Sequence, residues 1–144
     1  MSVVRSIAAV TLVLIFPTLV SCATTPHAHM MTYADQLDRN AAAFASAGLT
    51  ASPSPDARGF ADEAQNFRET VERPAGDTDV VQAYERLWRS YQSLRDAVGQ
   101  SDRQWQIAFK PVARAFRDVQ HEMLAYDDPS VQARGGYWFD PYYN

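Results

Sequence analysis

Between residues 81 and 98 the apolar side chains Val81, Tyr84, Leu87, Tyr91, Leu94 and Val98 recur at steps of three and four. That spacing puts all six on one side of an α-helix. A strand would split them between two faces, because its side chains alternate residue by residue. Thr78 or Asp77 is placed to cap the start of this helix and Gly99 to close it. A helix with a single apolar face must find other elements to cover it.

Three further segments supply that cover. A helix is expected over about 32–47, with Tyr33, Leu37, Ala41 and Phe44 on one face and Gly48 as its stop. The Ser-Pro-Ser-Pro turn ending at Pro55 opens a second helix, with Asp56 in its first turn and a stripe of Phe60, Ala64, Phe67 and Val71. Pro74 ends it. Ser101 is expected to cap the last helix, which carries Trp105, Ala108, Val112, Phe116, Val119, Met123 and Tyr126, with Pro111 inside it expected to cause a kink. Charges spaced by four residues (Asp35 with Arg39, Glu69 with Arg73, Glu85 with Arg89) mark solvated faces. Such pairs contribute only a few tenths of a kcal/mol each. No useful stretch alternates like a strand, and the connections are short. The expected fold is therefore all-α, an antiparallel four-helix bundle over residues 32–127.

Both flanks differ from the bundle. At the C-terminal side, 128–144, Pro129 breaks the last helix, and Arg134-Gly135-Gly136 leads into Tyr137, Trp138, Phe139, Tyr142 and Tyr143. These aromatics fit either a flap covering an edge of the bundle or a contact surface for a partner, since Tyr and Trp dominate binding hot spots. On the N-terminal side, Arg5 is the only charge before Asp35, and residues 7–20 are apolar apart from Thr11 and Thr18, with Pro17 interrupting. The run is shorter than the roughly 20 helical residues a membrane span requires. A positive start, a short apolar middle and small residues after it describe an export signal.

The run closes on Leu19-Val20-Ser21-Cys22, which resembles the lipobox of bacterial lipoproteins. The resemblance covers residues 1–22 only. It implies a signal peptide over 1–21, cleavage before Cys22, covalent lipid on that cysteine and a tether over 22–31 leading to the bundle. The single positive charge of the leader departs from the usual pattern, which has more. Ala23, rather than Asp, after the cysteine implies sorting to the outer membrane, facing the periplasm. Cys22 is the only cysteine in the chain, so no internal disulfide can form. The full chain has net charge −4, and loss of Arg5 makes it one unit more negative. That balance argues against nucleic-acid binding and provides no polybasic membrane patch.

The sharpest chemical constellation is His27-Ala28-His29-Met30-Met31. Imidazole and thioether donors suit copper, thioethers favouring Cu(I), so His27, His29, Met30 and Met31 are candidate metal ligands if the tether is free to wrap an ion. The plainer reading is a polar linker whose methionines touch the first helix. His121 shares its helix face with Arg114, Arg117 and Asp118, opposite the apolar stripe, and is not placed to ligate a haem. Paired Glu-x-x-His motifs, a Gly-rich phosphate loop and a Gly-x-Ser-x-Gly elbow are all missing from the sequence. The expectation is a lipid-anchored, non-catalytic helical module that contacts an envelope protein, with no cofactor beyond its covalent lipid. The alternative is an envelope metal binder using the His/Met segment.

Overall fold

A computed structural model describes residues 26–47, 55–126, 128, 129 and 131. It forms a bundle of four helices: α1 (Pro26–Ser46), α2 (Pro55–Glu72), α3 (Asp77–Gly99) and α4 (Arg103–Met123). Every stripe residue named for α2 and α3 is buried. Ala57 extends the α2 stripe by one turn at its start, and Val80 and Ala83 widen that of α3.

The first helix begins earlier than its sequence pattern predicts. Pro26 occupies its first position, where a fixed φ is pre-organised for the helix and the missing N–H has no partner to lose. From there Met30, Ala34, Leu37, Ala41 and Phe44, spaced by four and three, are all buried. Six of the ten residues expected in the tether over 22–31 belong to α1 instead, because the helix begins at Pro26. The other boundary moves as well. Val131 is 1% exposed and joins the same core, its N–H donating to the Asp128 carbonyl at 3.1 Å. The bundle therefore does not end at 127.

Two caps differ from expectation. Gly76, with no side-chain hydrogen bond, precedes α3, whereas Thr78 lies within the helix. Asp102 rather than Ser101 caps α4, its carboxylate accepting from the backbone N–H groups of Gln104 and Trp105 at 3.1 and 3.2 Å. Ser101 instead serves the preceding helix: its hydroxyl donates to the Ala97 carbonyl at 2.8 Å. Helix α4 continues through Pro111, whose carbonyl accepts from the Asn40 side-chain amide of α1 at 3.2 Å.

Packing follows side-chain size. Helix α1 lies close against α2 and α4, and α2 against α3, whereas the α3 and α4 backbones make far fewer close approaches than these three pairs. Alanines at 34, 41, 57 and 64 are buried on α1 and α2, where small side chains let backbones come near. Between α3 and α4 stand rings. Tyr91 and Phe116 lie face to face with centroids 3.8 Å apart and planes within 3°. Tyr91 also stacks on Phe109 at 5.7 Å, and Tyr84 on Phe116 at 6.4 Å. Phe60 meets Tyr91 while Phe67 meets Tyr84, so residue numbers run in opposite directions along α2 and α3. The rings joining α3 to α4 follow the same opposed order.

These contacts define two ends. Phe44, late in α1, meets Trp105 and Phe109, early in α4, at 5.2 and 5.6 Å. The start of α1 therefore lies at the end of the bundle where α4 finishes. Tyr126, just past α4, feels the charge of Asp77 at the start of α3 and brings that helix end to the same pole.

Candidate functional site

Among the residues expected to hold a metal, the structure separates Met30 from His29 and Met31. His27, His29, Met30 and Met31 fall in the first turns of α1, where consecutive positions fan around the axis by 100° each. Met30 is 1% exposed and belongs to the core, while His29 and Met31 lie on the outside of the helix. His29 stacks on Tyr33, one turn later, with centroids 6.4 Å apart. A wrapping site needs a free chain, and here the backbone is committed to a helix whose register sends Met30 inward. Among the described residues, no three His, Cys, Asp or Glu side chains lie together in a way that could hold an ion. His121 is exposed, on the side of α4 opposite its buried stripe.

Cys22 and the aromatic residues Tyr137, Trp138, Phe139, Tyr142 and Tyr143 lie outside the described residues. What the structure does fix is where the described chain stops. Pro26 begins α1 and Val131 is packed into the core just after α4, so both flanks depart from the same pole.

Two of the three large exposed hydrophobics among the described residues stand at that pole. Met31 is 39% and Leu124 40% exposed. Tyr126, half-buried beside them in the chain order, has its phenol pushed above its usual value first by burial and then by the charges of Asp77 and Glu122. On the α2–α3 side an open cleft is lined by Arg73, Asp79, Gln82 and Arg86 among others. Both guanidinium groups already have carboxylate neighbours: Arg73 sits 3.3 Å from Glu69 and Arg86 3.6 Å from Glu63. Arg68 bridges α1 and α2, its Nε 2.8 Å from Asp38 and its Nη1 2.6 Å from Glu72. The pairs Asp35–Arg39 and Glu69–Arg73 form as their spacing predicts.

Asp118 gives a pH handle on the folded state. Burial raises its carboxyl above the ordinary value of 3.8, with His121 and Arg117 pulling it back down. A carboxyl that is harder to ionise in the fold opposes folding once the solution pH exceeds its unfolded value. Asp118→Asn should therefore raise the melting temperature at pH 7, the gain shrinking as pH falls and vanishing below about 3.8. Thermal melts of both proteins across pH 3–8 check this, and a gain that grows toward acid would contradict it.

The fold defines this chain as a four-helix bundle protein whose two flanks leave from one end. No protein-family model matches the chain, and neither does any curated protein or any solved structure.

Proposed function

We propose that the chain is a lipid-anchored, non-catalytic helical module of the bacterial cell envelope, held by acyl chains on Cys22 in the outer membrane and acting in the periplasm through protein contacts. The observation that carries this reading is the Leu19-Val20-Ser21-Cys22 sequence, where the chain's single cysteine closes an apolar leader. A bundle directly after it supports the reading, because an exported domain without disulfides needs a core of its own, and the apolar faces of all four helices provide one. The contact surface assigned to the partner is the aromatic segment Tyr137, Trp138, Phe139, Tyr142 and Tyr143. Large aromatic side chains give contact area at low entropy cost, and a cluster of them left in water forms an unusually apolar patch.

Deleting 135–144 tests the assignment. Thermal stability of the bundle should stay unchanged, while a crosslinked envelope protein seen with the intact chain should be lost. A lowered melting temperature with the crosslink retained would make the segment part of the fold instead.

A further inference from the structure

We propose that the pole where α1 begins and α4 ends rests on the bilayer surface, with Met31 and Leu124 in the headgroup layer and the α3–α4 turn directed away. The inference rests on the lipid-anchor reading of Cys22. Its physical basis is the shortness of the link. From the Cα of Cys22 to that of Pro26 there are four virtual bonds, a reach of at most about 14 Å. Beyond Pro26 the chain is helix, and its side chains enter the common core from Met30 onward. Nothing between Pro26 and the core allows the bundle to drift further from the lipid.

The opposite pole stands far from the anchor along the bundle axis. Phe44, packed on Trp105, lies 18 residues along α1 from Pro26, or about 27 Å up the helix at 1.5 Å per residue. Exposed apolar groups occur at both poles, with the most exposed of them, Ile107 at 56%, at the far one. Among the described residues the large exposed hydrophobics are Met31, Leu124 and Ile107. The first two belong to the pole near the anchor, whereas Ile107 lies near the start of α4.

Charge decides which surface fits. Glu72, Asp77, Asp79, Glu122 and Asp128 stand at or beside the near pole, against Arg73 and the exposed imidazoles of His29 and His121. Such a face is repelled by anionic headgroups and gains nothing from the counter-charge that draws polybasic segments to membranes. The occupant is therefore a zwitterionic phospholipid surface.

The test uses the full, lipidated chain in phosphatidylethanolamine–phosphatidylcholine vesicles containing a lipid with a nitroxide on its headgroup. Because the acylated Cys22 has no free thiol, a fluorophore can be attached at Ala125→Cys near the anchor or at Gln100→Cys at the far pole. Quenching should be several-fold stronger at 125 than at 100. It should weaken when phosphatidylglycerol is added at low salt, and also when Met31→Asp and Leu124→Asp are introduced together. Equal quenching at both labels, or insensitivity to the paired aspartates, would overturn the orientation. Mass spectrometry of the same sample separates the two failures. Acylated Cys22 with equal quenching overturns the orientation alone, whereas unacylated Cys22 overturns the anchor and the orientation together.

Discussion

Tyr91→Ala and Phe116→Ala should each destabilise the bundle by about 3–5 kcal/mol, the cost of truncating a buried aromatic ring. Both residues are 3% exposed. Their rings overlap at 3.8 Å, and each touches further rings: Tyr91 meets Phe60 and Phe109, and Phe116 meets Phe60 and Tyr84. Here two neighbouring helices are joined by rings and make few close backbone contacts, so the space left by a lost ring is not closed by a small backbone shift. The face-to-face overlap forgoes the quadrupole advantage of an offset stack, so most of the effect comes from burial and cavity formation. A double-mutant cycle should still give coupling of roughly 0.5–1.5 kcal/mol between the two. His121→Ala, on the exposed face, should stay within about 0.5 kcal/mol. Urea denaturation of the bundle measures the wild type and the four variants. If the His121 variant were the most damaged, the assignment of faces on α4 would be wrong.

Cys22→Ala should move the protein out of the membrane fraction. Lipid attachment needs the cysteine sulfur to form its thioether, and each buried methylene contributes about 0.8 kcal/mol to membrane retention. One acyl chain holds marginally and two or more hold stably, so losing the attachment point removes the whole anchor. None of the described helices is long and apolar enough to cross a membrane. The variant should accumulate as an uncleaved precursor or as a free periplasmic protein, and fractionation followed by immunoblotting distinguishes the two from the wild type. Retention of a cleaved, unlipidated product in the outer membrane would contradict the account.

The stripes of α2 and α3 were readable because every apolar step of three or four there has one helical explanation. The start of α1 was not, since Met30 sits between His29 and Met31 and reads locally as a ligand cluster. Extending the Leu37, Ala41, Phe44 series backward by steps of three and four reaches Ala34 and Met30, and that regularity was the available signal. On α4 the sequence pattern runs its early stripe through Trp105 and Ala108, which are only half-buried, while Phe109 is fully buried. Adjacent apolar residues leave the helix phase ambiguous by one position, and only the fit against Phe44 and Tyr91 resolves it. Val131 is invisible to the apolar pattern, because a proline-broken segment carries no periodicity to follow. For function the limit is chemical: interaction surfaces are made of ordinary residues and leave no fixed spacing, whereas a lipid-attachment signal must present one cysteine at one place.

Intact-mass and peptide mass spectrometry of the mature N-terminus, on protein extracted from membranes, tests the central claim most directly. The expected species begins at Cys22, with its sulfur in thioether linkage to a diacylglycerol unit. An unmodified N-terminus at Ala23 or any later residue would contradict the lipid-anchor reading.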